Sequence, residues 1–381
     1  MSLDLDRNPV YVIGVGMHPY QNPSSTPYVE LGLTAIRAAL ADAGIAWGDV
    51  RAAVVGTALV AVASGRPMLR HLGSNGLSIT HVENASATGS TAVRTAIAEI
   101  VAGGADVALA VGVDKLTPRP DGFTASGRPG LGNDVIVPVT DFALFAEAYM
   151  GMYGVERDAL AAVAVKNHRN GLLNPNAQRR ESLSLAEVLA SPPIAGVLTK
   201  HQCCPVGEGA AAVLLASEAG LQRLGIDRSR VVRVAASVSR SERPYLGAEI
   251  ADKELTRTTT EIALRAAGIT PADLDILEVH DAFSIEELAY IEAVGLAAPG
   301  EAGAGVLAGR FDIGGECAVS PSGGLISMGH PIGPTGVGQI AEITAQLRGE
   351  AGARQHPGAR IGLAHMLGVG AVCVEHVLIK D

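Results

Sequence analysis

Three short segments carry residue types that do chemistry, and each stands where an apolar run gives way to a helical pattern or a glycine-rich loop. Ser86 lies in Asn84-Ala85-Ser86-Ala87-Thr88-Gly89, between the strand pattern Ile79 to Glu83 and a helical pattern from about Ser90 to Ala102. A hydroxyl at that turn sits beside free backbone N–H groups at the positive end of a helix, which stabilise a nucleophile and the oxyanion it forms. The same placement suits an N-cap, so the motif alone leaves both roles open. His280, in His280-Asp281-Ala282-Phe283, ends one strand and opens the next helix. His330 stands in Ser322-Gly323-Gly324-Leu325-Ile326-Ser327-Met328-Gly329-His330-Pro331, a loop whose Gly and Pro content demands a specific, non-regular path. Histidine at such places polarises a carbonyl or carries a proton near neutral pH.

The elements that must position these residues alternate between strand and helix periods. Val10 to Gly16 reads as a strand, and Tyr28 to Ala43 as a helix with Val29, Leu33, Ile36 and Leu40 on one face and Gly44 as its C-cap. Strands follow at Ala52 to Gly56, Ile79 to Glu83 and Val107 to Val113, a βαβ rhythm that predicts a largely parallel, buried sheet. Residues 262–280 repeat the plan of residues 36–56: an Ala-rich helix ends in Ala-Gly-Ile, an Asp lies five residues past the Gly, and a strand follows. Two copies of one unit predict two similar halves packed as a pseudo-dimer. From Leu116 to Cys204 prolines interrupt the pattern, and the basic runs Lys166-Asn167-His168-Arg169 and Arg179-Arg180 offer local positive charge for a phosphorylated ligand.

Composition narrows the function classes. The 381 residues, 48% hydrophobic, suffice for two or three domains with a real core, while 46 glycines and only 3% aromatics fit small-residue packing and tight turns. A formal net charge of −10 argues against a nucleic-acid surface. Cys203, Cys204, Cys317 and Cys373 show no Cys-x-x-Cys spacing, read as core residues, and fit a reducing, cytoplasmic location. The acidic Met1-Ser2-Leu3-Asp4 start lacks the pattern of a secretory signal, Ile379-Lys380-Asp381 is no peroxisomal address, and no run of about 18 apolar residues is free of charge, so no membrane span is expected.

The three segments, together with Lys166-Asn167-His168, Asn174-Pro175, Gln202-Cys203-Cys204-Pro205 and Glu208-Gly209-Ala210, resemble the thiolase superfamily, most closely its sterol-carrier-protein-x type, over essentially the whole chain. The resemblance implies an α/β thiolase fold: a five-layer αβαβα core from two similar halves, residues 1–115 with 205–245 and residues 246–381, plus an inserted loop domain at 116–204 that holds the CoA moiety. It also implies a homodimer or dimer of dimers with Ile79 to Glu83 near a two-fold axis, a CoA thioester as substrate, and no metal or redox cofactor. The implied reaction is Claisen condensation or its thiolytic reverse. Ser86 then occupies the acylated position, His280 and His330 hold the thioester oxygen or move protons, and His365 stands in the fourth catalytic loop. Ser322, Gly323, Gly324 and Gly368 are the implied substrate and CoA contacts.

The sequence departs from that family where sulfur is expected. Ser86 replaces the acylated cysteine, Ala282 replaces the cysteine of His-Asp-Cys-Phe, and Ala364-His365-Met366 stands where other thiolases carry Cys-x-Gly. Three readings follow: a C-acyltransferase using Ser86, a CoA-ester lyase that needs no acyl-enzyme, or a non-catalytic acyl-CoA-binding subunit working with a small OB-fold partner. Thiolase-like aldolases carry tyrosines at the two histidine positions, and His280 and His330 weigh against the lyase.

Overall fold

The computed structural model describes residues 3–116, 128–129, 135–242, 251–369 and 372–381; Pro118, Pro120 and the 245/246 boundary between the expected halves lie outside them. The first half runs β1 (Val10–Gln21), α1 (Tyr28–Ala43), β2 (Ala52–Gly56), β3 (Ser78–Val82), α2 (Thr88–Val101) and β4 (Val107–Asp114). An insertion that includes α3 (Arg157–Leu172) precedes the return strand β5 (Glu208–Ser217). The second half runs β6 (Val232–Ser241), α4 (Ala251–Ala267), β7 (Ile276–Glu278), α5 (Ser284–Val294), β8 (Ala318–Val319), α6 (Thr335–Arg348), β9 (Ile361–Gly368) and β10 (Val372–Ile379).

Strand order makes the internal repeat visible. The first half pairs as β3-β2-β4-β5-β1 and the second as β8-β7-β9-β10-β6, the same permutation, and Val10 to Val12 on β1 join Val232 to Val234 on β6 edge to edge. The prediction of a largely parallel sheet needs correction. β2 is parallel to β3 and β4, and β7 to β8 and β9, but β1, β5, β6 and β10 all run antiparallel to their neighbours. The βαβ units were legible, but the return strands β5 and β10 enter antiparallel, without the crossover helix that parallel pairing needs.

Three hydrophobic cores separate the layers. α1 buries Leu31, Leu33, Ala35, Ile36 and Ala39 against the outer face of the first half, while Val29 and Leu40 stay at the margin of the predicted stripe. Its last turn closes on Gly44, at φ 67°, as predicted. α2 and α6 fill the middle layer, where Val93, Ile97 and Ile340 pack with Val54, Val213, Ile276 and Leu378 from both halves. α3, α4 and α5 cover the far face through Leu160, Val163, Leu255, Ile285 and Tyr290. Removal of such side chains from water supplies the main driving force for this layering.

The middle layer places the candidate segments together, because α2 follows the Ser86 turn and α6 follows the His330 loop. Backbones meet there with no room for a side chain: a Cβ on Gly112 of β4 would lie 2.3 Å from the Gly333 carbonyl oxygen. Asp114, at the end of the same strand, accepts the Gly333 N–H at 2.7 Å, and Tyr20 donates its hydroxyl to the Pro334 carbonyl at 2.9 Å. We predict that Gly112→Ala destabilises the protein by about 1–3 kcal/mol in urea unfolding, because the added methyl must displace this loop, with a loss of activity larger than the stability change alone explains.

Candidate active site

The turn before α2 is sharp. Ala85 sits at φ 47°, a left-handed conformation that costs a non-glycine residue about 1 kcal/mol. Asn84 holds the turn by donating its backbone N–H to Thr88 Oγ1 at 2.8 Å and its side-chain amide to Thr91 Oγ1 at 3.1 Å. Gly368, at the end of β9, lets that strand close on the turn, since a Cβ there would stand 2.4 Å from the Asn84 carbonyl oxygen. Ser86 is buried and does not cap the helix: the N-cap residue is Ala87, and no side chain caps it. The hydroxyl instead meets His330, with Oγ 3.0 Å from Nε2.

His330 is oriented from behind by Thr335, whose Oγ1 lies 2.9 Å from Nδ1. One tautomer has Nδ1–H donated to Thr335 and the Nε2 lone pair turned to the Ser86 hydroxyl, a Ser–His–Thr chain of hydrogen bonds. Although part of its ring surface remains accessible, burial and then the neighbouring His280 hold His330 well below the usual imidazole range, so the ring is neutral at pH 7.

His280 faces His330 edge-on, with ring centroids 5.2 Å apart at 84°. Its Nδ1 lies 2.7 Å from Glu286 Oε1. The other oxygen of that carboxylate accepts the Phe283 N–H at 2.9 Å, the reach-back half of a capping box, and Oε1 also accepts the Tyr290 hydroxyl at 3.2 Å. The Nδ1–H donated to Glu286 leaves Nε2 as the free ring nitrogen, buried without a hydrogen-bond partner. The site thus pairs a hydroxyl held by one base with a second base backed by a carboxylate.

His365 does not join that pair. Its Nε2 lies 2.9 Å from Thr256 Oγ1, its Nδ1 accepts the His280 backbone N–H at 3.4 Å, and its ring packs tilted at 53° against Tyr290 with centroids 4.6 Å apart. Burial, then His280, push it down to about 3, so it supports the His280 strand end as a neutral residue.

Ser322 is likewise committed inside the protein, its hydroxyl donating to Glu278 at 2.7 Å and its N–H at 2.9 Å. Gly323 and Gly324, at φ 105° and 57°, press this loop onto α3, where Asn167 donates to Asp281 at 2.7 Å and Lys166 pairs with Glu287 at 3.1 Å. Burial, then Glu342, raise Glu278 to about 8, and burial, then Glu287, raise Asp281 well above the carboxylate range.

The basic run read from the sequence as phosphate-facing is therefore mostly interior. Lys166 and His168 are buried and Arg169 pairs with Asp312, which leaves Arg180 exposed. Local basic charge misled here because α3 is enclosed on most of its circumference. Thr335, Glu286, Thr256 and Tyr290 were missed. Glu286 carried a signal, three residues after Phe283 at a helix start, where a glutamate reaches back to the N-cap.

Ala282 and Ala364 are buried, and the Cys204 N–H donates to the Ala282 carbonyl at 2.8 Å. Cys203 and Cys317 lie in the core with thiols raised by burial, the former to about 12, and Cys204 is half-buried with its thiol also raised by burial.

Residues 10–183 match the model described as "Thiolase, N-terminal domain", and residues 246–380 that of "Thiolase C-terminal domain-like". This chain belongs to the thiolase family. It is 37% identical to sterol carrier protein 2 of Homo sapiens over 96% of this chain and 71% of the relative. It is 34% identical to the acetyl-CoA acetyltransferase of Methanothermobacter thermautotrophicus over 97% of this chain and 98% of the relative. Among solved structures it resembles the Ltp2-ChsH2(DUF35) aldolase, with a TM-score of 0.80 at 21% identity over 98% of each chain. Among the described residues no helix is long and apolar enough to cross a membrane.

Protonation of His330 removes the lone pair that Ser86 needs. Because its pKa lies below the usual value, activity should persist as pH falls through 6.5 and drop only at lower pH. Measured on the first half-reaction alone, CoA release on acylation, an acid limb at or above pH 6.5 would contradict this placement of the base.

Proposed function

We propose that this thiolase-family chain is an acyl-CoA C-acyltransferase in which Ser86 takes the place of the acylated cysteine. The observation that carries the reading is the 3.0 Å contact between Ser86 Oγ and His330 Nε2, made in place of a helix cap. The Ser86 oxygen attacks the thioester carbonyl while its proton passes to His330. The C–S bond then breaks and CoA leaves as the thiol with that proton. His280 Nε2, buried and backed by Glu286, takes an α-proton from a second acyl-CoA. The resulting carbanion attacks the acyl-serine carbonyl, forms the C–C bond of a 3-oxoacyl-CoA and expels Ser86, which recovers a proton from the histidine pair. The reverse sequence is thiolysis. On this reading His280 does the proton work of the missing sulfur, and CoA lies along the insertion between β4 and β5 and the Ser322-Gly323-Gly324 loop.

The exposed edge strand β3, paired only with β2, supports a homodimer or dimer of dimers formed along Ser78–Val82. The absence of sulfur at 282 and 364, with the likeness to a DUF35-partnered aldolase, favours one second reading: a CoA-ester lyase that works beside a small OB-fold partner and bypasses the acyl-enzyme.

Substitution separates the two. For the acyltransferase, Ser86→Ala lowers CoA release from acyl-CoA by about 10³-fold or more, and His280→Ala lowers C–C bond formation by about 10²-fold while acylation survives. A Ser86→Ala chain that cleaves or condenses CoA esters at the parent rate would establish the lyase instead.

A further inference from the structure

Behind the reacting face, β9 and β10 bring three metal-ligating side chains together. Their register sets His365 opposite Glu375, and Cys373, two residues before Glu375, shares its face. All three are buried, and their donor atoms lie within 4.8 Å of one another. Cys373 Sγ stands 3.7 Å from Glu375 Oε1. Thr260 donates to that oxygen at 2.8 Å, but Glu375 Oε2 is buried without a partner. A glutamate in the middle of an apolar layer is expensive to bury, and one threonine hydrogen bond with a weak one from the Cys373 thiol, both to Oε1, offset only part of that cost.

We propose that His365, Cys373 and Glu375 form a structural site for a thiolate-binding divalent ion, zinc in the first instance. A thiolate, a carboxylate and a neutral imidazole around a divalent cation sum to zero charge, which suits a dry interior. Bond lengths of about 2.0–2.3 Å place tetrahedral donors about 3.3–3.8 Å apart, so these side chains close on an ion with small movements. The thiolate excludes magnesium and calcium on grounds of softness. The ion would tie β9 to β10, the ligating His365 nitrogen giving up its present contact, Nδ1 with the His280 N–H or Nε2 with Thr256 Oγ1. It takes no part in acyl transfer, and the site stands whether or not Ser86 is acylated.

The test is metal content of the untagged protein from zinc-supplemented cells, measured by inductively coupled plasma mass spectrometry after dialysis. About one zinc per chain is expected, falling to a tenth or less in Cys373→Ser and Glu375→Gln. Growth in cobalt should give a thiolate-to-cobalt charge-transfer band that Cys317→Ser retains and Cys373→Ser loses. Parent protein free of both metals overturns the proposal even if the variants fail to fold, as does zinc content that the two substitutions leave unchanged.

Discussion

The hydrogen bond between Ser86 and His330 joins residues 244 positions apart, and the architecture around it exists to let that contact form. Each partner belongs to a different half of the chain. Ser86 needs a strand-to-helix turn tight enough to push Ala85 into the left-handed region, and His330 needs a loop that reaches the middle layer without a side chain in the way. Gly112 removes that obstacle in the wall, while Asp114 and Tyr20 hold the loop where it arrives. Small residues along this seam explain a composition with 46 glycines and few aromatics: halves that meet backbone to backbone leave no space for large rings.

Electrostatics then divides the labour between two histidines with different surroundings. His330 has a neutral hydroxyl behind it and a packed environment that disfavours its cation, so it suits a base that takes and returns a proton quickly. His280 has a carboxylate behind it, which in the proposed mechanism offsets the charge the ring would gain with a proton from carbon. The carboxylates raised by burial, Glu278 and Asp281, spend their oxygens on loop N–H groups and on Asn167. They hold the catalytic loops in place from below. Orientation of the reacting groups within a few tenths of an ångström is what such a brace supplies.

Much of this was legible in the chain itself. The Ala-Gly-Ile repeat announced two like halves, and the strand orders repeat the same permutation. Ser86 and His330 follow the equivalent edge strands β3 and β8, and His280 follows β7, the counterpart of β2 and the neighbour of β8. What the sequence hid was set by tertiary context. Return strands carry the same apolar run whichever way they point, so sheet direction was misread. Lys166 and His168 look like surface charge until Glu287 and the surrounding core enclose them. His365 stood at a catalytic-loop position by resemblance, but Thr256 and Tyr290, distant in sequence, draw it behind the strand.

The central claim is that position 86 is built to receive an acyl group with His330 as its base. The most direct measurement replaces Ser86 by cysteine, whose thiolate the helix N-terminus favours, and follows brief exposure to acyl-CoA by intact-protein and peptide mass spectrometry. The account predicts rapid gain of one acyl mass at residue 86, suppressed by about 10²-fold when His330→Ala is added. An introduced thiol that stays unmodified in a protein that still binds acyl-CoA would contradict it.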